Sequence, residues 1–203
     1  MQKENYIDEL IEHKNDASYT PRENEINARN KGLQSSIRNG CTHHISADTD
    51  EFYEDIEFVK NKMKNYKSSV VYLENYYKCS KYQIVPSQNH QTSFIHSIDL
   101  YYKMVKDYPY KIDMTRRLNN TENCIVFNKQ EFVIHHMSYV RKNIENKIYN
   151  SGNWIVGNKE KFVDEYKLYK LGDKLKIPPD FNIRRTKFVE NNFLRGEKWE
   201  QLP

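Results

Sequence analysis

The chain has 203 residues, 37% of them hydrophobic and 13% aromatic, with a mean hydropathy of −0.95. That length supports one domain with a core of its own, and 16 Tyr with 9 Phe argue against disorder, because aromatic rings can fill a core. The 32 basic and 28 acidic residues leave a net charge of +4, a mild excess that suits a small anionic ligand as well as it suits nucleic acid. No apolar run approaches the ~20 residues that span a bilayer, and residues 1–15 carry charges throughout, unlike a signal peptide. A cytoplasmic setting is therefore expected. Cys41, Cys79 and Cys124 form neither a zinc pattern nor a disulfide framework and read as buried reduced thiols. Asn119-Asn120-Thr121 is a glycosylation sequon that matters only if the chain is secreted.

Ile7, Leu10 and Ile11 share one helical face, and Pro21 then breaks the chain. A helix is predicted from about Glu23 to Arg38, with Ile26, Leu33 and Ile37 on one stripe and Asn39-Gly40 as its left-handed end. Cys41 to Ala47 reads as a strand. Phe52, Ile56, Val59 and Met63 recur at the spacing of an amphipathic helix, and Val70 to Leu73 is a strand of the buried kind. Residues 78–92 read as loop or irregular strand, and Phe94 to Met104 fits either strand or helix. Short strands follow near Cys124–Phe127 and Glu131–Ile134, then a helix carrying Val140, Ile144 and Ile148 that stops at Asn150-Ser151-Gly152. A last helix is predicted over Lys159 to Leu171, and beyond Pro178-Pro179 the chain reads as a polar tail. Strands alternating with helices predict an α/β layer structure. The expected division is a domain over residues 1–175 and a tail over 176–203 that packs on or near it.

In that setting Asp48 and Asp50 stand where a strand ends and a helical pattern begins. At i and i+2 of an extended segment both side chains point the same way, so the two carboxylates suit one hard divalent cation that also holds a phosphate. The same residues would also serve as an acidic turn before a helix. Glu51 reads as a first-turn helix residue that interacts with the dipole.

Several segments, in order, resemble the motifs of GT-A fold, family-2-like glycosyltransferases. Ala28-Arg29-Asn30-Lys31-Gly32, followed by Ala47-Asp48-Thr49-Asp50-Glu51-Phe52, is similar to their Arg-Asn-x-Gly and Asp-x-Asp pair. Tyr110-Lys111-Ile112-Asp113-Met114-Thr115-Arg116 resembles an Asp-x-Thr-Arg element of small viral and bacterial members. His135-His136-Met137-Ser138-Tyr139-Val140-Arg141 resembles the late histidine motif that completes their metal site. The resemblance spans roughly residues 20–150. It implies an α/β GT-A (Rossmann-like) mixed sheet flanked by helices. Only about 20 residues precede the first motif, where the family places a β-α-β unit, so an N-terminally short member or a fragment is expected.

What the resemblance implies chemically is transfer of a sugar from a nucleoside-diphosphate sugar to a hydroxyl acceptor, with Mn²⁺ or Mg²⁺ as cofactor. Asp50 would coordinate the metal directly. Asp48 would reach it through water or hold the ribose. His135 and His136 would supply the late ligand, and since neighbours on a strand alternate, only one of them needs to face the site. Arg29, Asn30 and Arg116 would contact phosphate or sugar, as would one of Arg141 and Lys147. Asp113 is the candidate base for the acceptor hydroxyl, with Asp99 and Glu74 competing. Tyr72, Tyr76, Tyr77, Tyr101 and Tyr102 fit either an acceptor groove or ordinary packing. His43 and His44 read as structural. A metal-dependent phosphoesterase or nuclease is a second reading of the same carboxylates and histidines, though two-metal hydrolases need more clustered ligands. A nucleic-acid-binding module is a third, without the basic cluster and interleaved aromatics it requires.

Overall fold

The computed structural model describes residues 9–141, 143–150, 159–177 and 182–190. The chain is a mixed α/β protein whose strand pairings are mostly antiparallel. It divides into two compact units. The first holds residues 1–47, 55–71 and 91–132, and the second holds 48–54, 72–90 and 133–203.

In the first unit, α1 (Pro21–Arg38) begins at a capping box. Thr20 accepts from the Glu23 main-chain N–H, the Glu23 carboxylate accepts from that of Thr20 at 2.8 Å, and Pro21 takes the first turn. Gly40, at φ +72°, reverses the chain as the sequence predicts. Ile26 and Leu33 are buried, while Ile37 of the same stripe lies at the surface. Strand β1 (His43–Ile45) pairs antiparallel with β5 (Gln91–Ser97), placing His44 opposite His96. The start of β3 (Ser68–Tyr77) pairs in parallel with β6 (Cys124–Val126). Helix α2 (Ile56–Met63) starts later than its pattern suggested, because Asp55 adopts a left-handed conformation and caps it through the Phe58 N–H.

In the second unit, β2 (Glu51–Phe52) pairs antiparallel with β7 (Val133–Tyr139), which runs parallel to the later part of β3. Of the two readings of residues 78–92, loop or irregular strand, the structure takes the strand for β4 (Cys79–Val85), antiparallel to β3. Lys78 sits at φ +64° and makes that tight reversal possible. Its ammonium then caps the end of α4 (Lys159–Leu168) through the carbonyls of Lys167 and Tyr169, at 2.9 and 3.1 Å. With α3 (Ile144–Asn150), α4 covers a core in which the Tyr77 ring lies 4.9 Å from Tyr166 and 4.8 Å from Tyr169, both edge-on. Strand β9 (Ile183–Phe188) pairs with β4, and β8 (Leu175–Lys176) pairs with β9.

The structure therefore corrects several expectations. Residues 9–16 are not helical, although Leu10 and Ile11 follow a helical spacing; both are exposed and have no face to bury. Ile7 lies outside the described residues. Among the described residues β3 to β7 follow one another with no α-helix between them, so the strand–helix alternation expected of a Rossmann-like sheet is absent there: β3 forms a hairpin with β4 and pairs in parallel with β6 and β7. The expected tail contains β9 in its described part, while Pro178-Pro179 lie outside the described residues, as do Ser151-Gly152. The cysteines are free, as expected, but Cys41 is exposed and Cys79 and Cys124 are half-buried.

Candidate functional site

The residues singled out by sequence fall into two groups, one in each unit. In the first unit, the Arg29 guanidinium bonds Glu25 at 2.7 Å and Ser46 at 3.2 Å. Glu25 also accepts from the Thr115 hydroxyl at 2.9 Å. Asn30 makes a two-point clamp on Tyr102. Its Nδ2 donates to the Tyr102 carbonyl and its Oδ1 accepts from the Tyr102 N–H, each at 2.9 Å. Asp113 is exposed and caps a 3-10 turn (Met114–Arg116), with Oδ1 accepting from the Thr115 N–H and hydroxyl at 2.8 Å. Arg116 is buried and donates to the Thr92 hydroxyl at 2.6 Å.

Beneath this group lies a histidine network. His44 pairs with the Ser36 hydroxyl at 2.9 Å, and His96 Nε2 with the Tyr102 hydroxyl at 3.1 Å. Burial pushes His96 down to about 4 and holds His44 below the usual histidine range, with the nearby Arg29 charge adding to the latter. Both histidines are thus engaged in hydrogen bonds within the unit, and sequence reasoning read His44 as structural.

The second unit brings Asp50, His136 and Arg141 together. Asp48 and Asp50 are not in an extended segment. They sit in a turn that the Glu51 N–H closes onto the Asp48 carbonyl at 3.0 Å. The buried Glu51 carboxylate accepts from the Asp48 N–H at 2.9 Å, so Glu51 fixes the turn from β2 and is no helix-start residue. Asp48 is exposed, whereas the Asp50 side chain keeps only 16% of its surface. Asp50 Oδ1 lies 3.8 Å from His136 Nε2, and Oδ2 pairs with the Arg141 guanidinium. The Asp50 carbonyl accepts from the Met137 N–H at 2.7 Å, which locks the turn onto β7. Arg141 also bonds the Ser138 carbonyl at 3.1 Å through Nε.

His136 Nδ1 meets Asn75 Oδ1 at 2.8 Å, and Asn75 Nδ2 donates to Gln88 Oε1 at 3.0 Å. His135 points to the other face, where its Nδ1 pairs with the Tyr76 hydroxyl at 2.8 Å and burial pushes it down to about 4. Lys147 lies in the last turn of α3. Of the expected ligands, the structure thus places His136, and not His135, against Asp50.

Two protein ligands fit a cation that binds nucleotides, because Mg²⁺ and Mn²⁺ sites of that kind take one or two side chains and fill the rest with phosphate oxygens and water. Asp50 Oδ1 and His136 Nε2, 3.8 Å apart, are the carboxylate oxygen and imidazole nitrogen that would hold such a cation. Among the described residues, no group of three or more His, Cys, Asp and Glu side chains is placed to hold a metal.

Sequence reasoning missed Asn75 and Gln88. Asn75 had a signal: it is one of few polar residues in the apolar run Val70-Val71-Tyr72-Leu73-Glu74-Asn75-Tyr76-Tyr77, and a buried amide there needs partners. The five tyrosines mostly pack: Tyr76, Tyr77 and Tyr102 are buried, Tyr72 is half-buried and Tyr101 is exposed. Glu74 accepts from Gln83 and Asp99 pairs with Lys67. No helix among the described residues is long and apolar enough to cross a membrane. The chain matches no family model, no curated protein and no solved structure.

Proposed function

We propose that the chain is a metal-dependent glycosyltransferase of the GT-A, family-2-like type, moving a sugar from a nucleoside-diphosphate sugar to a hydroxyl acceptor. The observation that carries this reading is the meeting of Asp50, His136 and Arg141 at the turn between Asp48 and Glu51. These residues come from two separate motifs of the resemblance, 86 positions apart from Asp50 to His136. Their juxtaposition supports a role that neither motif supports alone.

The assigned roles follow from charge and donor type. Asp50 and His136 hold Mn²⁺ or Mg²⁺, which supplies Lewis-acid neutralisation of the departing diphosphate. Arg141, whose side chain is 37% exposed, is long enough to exchange its bond to Asp50 for one to a diphosphate oxygen. Glu51 keeps the Asp48–Asp50 turn in shape through the Asp48 main chain.

Calorimetric titration of UDP, GDP and dTDP, with and without Mn²⁺, tests the reading on wild type and Asp50→Ala. Metal-dependent binding of one nucleotide, lost in the variant, is the expected result. Binding that needs no metal and survives Asp50→Ala overturns it, and so does binding of none of the three.

A further inference from the structure

Resting on that reading, we propose that Asn75 and Gln88 are positioning residues that select the metal-binding tautomer of His136. A neutral imidazole carries one proton, and only the nitrogen without it can bind a cation. In the structure Asn75 turns its Oδ1 to His136 Nδ1 at 2.8 Å. A carbonyl oxygen accepts and never donates, so this contact places the ring proton on Nδ1. The lone pair then lies on Nε2, the edge that faces Asp50 Oδ1 at 3.8 Å.

The orientation of the Asn75 amide decides the matter, and Gln88 sets it. Asn75 Nδ2 donates to Gln88 Oε1 at 3.0 Å. If the Gln88 amide turned over, Asn75 would follow, its NH₂ would face Nδ1, and the ring proton would move to Nε2. His136 would then donate to Asp50 directly and leave no place for a metal. Asn75 is buried, so its amide cannot satisfy itself with solvent in either state. Register supports the relay: Asn75 lies directly opposite His136 across the parallel β3–β7 pair, so both side chains leave the sheet on one face. Glu51 pairs with His136 from the other side, which brings the Asp50 turn to the same histidine. A carbonyl oxygen fixing the far nitrogen of a ligating histidine is the usual way that a protein orients such a ligand.

The first test reads the metal-free protein and needs no activity. Imidazole ¹⁵N spectra at pH 8, assigned with His136→Gln, should show Nδ1 protonated and Nε2 bare. A proton on Nε2 overturns the proposal whatever the protein binds. The second test is Mn²⁺ titration followed by electron paramagnetic resonance. Asn75→Leu, checked for folding by circular dichroism, should bind Mn²⁺ about 10- to 100-fold more weakly, the usual cost of losing such a partner. Asn75→Asp and Gln88→Glu, which can only accept at the deciding atoms, should retain wild-type affinity. A drop of about tenfold or more in folded Asn75→Asp, where Nδ1–H keeps its acceptor, also overturns the proposal. If wild type binds no Mn²⁺, the glycosyltransferase reading falls, while the spectra still decide the tautomer.

Discussion

His135 and His136 are neighbours on β7 with opposite surroundings: the ring of His136 lies between Asn75 and Asp50, whereas that of His135 pairs with Tyr76. The pleat of a strand imposes this, since successive side chains leave on alternate faces. His136→Ala is therefore expected to abolish Mn²⁺-dependent nucleotide binding. His135→Gln should bind Mn²⁺ as wild type does and show any loss in thermal stability. Calorimetry on the two variants checks the asymmetry, and equal loss of metal affinity in both would contradict it.

The Arg141 guanidinium occupies Asp50 Oδ2, so a cation held by Asp50, as proposed, would compete with it. Arg141→Ala should therefore bind Mn²⁺ alone more tightly. It should bind nucleoside diphosphate in the presence of Mn²⁺ more weakly, by about 10- to 100-fold, the worth of a charge-assisted bond. The two titrations moving in opposite directions would distinguish this role from general destabilisation.

Asn30 belongs to the motif expected to touch phosphate or sugar, yet both of its amide atoms clamp the Tyr102 main chain. Asn30→Ala leaves the Tyr102 N–H and C=O without these partners, at a cost of about 1–3 kcal/mol. Urea unfolding should show that loss as a lower midpoint with an unchanged slope.

His96 has no accessible surface, and burial pushes it down to about 4 from an ordinary value near 6.5. The unfolded chain thus takes up its proton first as the pH falls. The stability that neutral His96 confers is intact above about pH 6.5, declines as the pH falls toward 4, and amounts to on the order of 3 kcal/mol. His135, pushed down to about 4 by burial, acts in the same direction. Chemical denaturation between pH 7 and pH 4 should show the decline, and His96→Gln should flatten it.

Asp113 caps its turn through Oδ1, an atom that asparagine keeps. Asp113→Asn should therefore keep the turn and leave the midpoint of urea unfolding unchanged, whereas Asp113→Ala, which loses that acceptor, should lower it.

Helix α1 was legible in advance because its signals are local: Thr20 with Glu23 at one end and Gly40 at the other need nothing from the rest of the chain. The Asp48–Asp50 segment was legible as a candidate site but not in its shape. An extended strand end was expected, and the turn instead depends on the Glu51 carboxylate folding back on Asp48. Strand β4 was left open between loop and irregular strand because polar residues and Pro86 dilute its pattern, while its pairing with β9 is not local.

The sequence by itself determined the local matters: where α1 starts and stops, which strands are apolar enough to be buried, and which few residues have the chemistry to hold a cation or a phosphate. Only tertiary structure decided which of two adjacent histidines meets Asp50, that Asn75 and Gln88 stand behind it, and that Asn30 grips a main chain 72 residues away. The reason is physical. Capping and periodicity act over a few residues, whereas the pairing of β2, β3 and β7 aligns segments distant in the chain, and a shift of one residue in that register would exchange every inward and outward side chain.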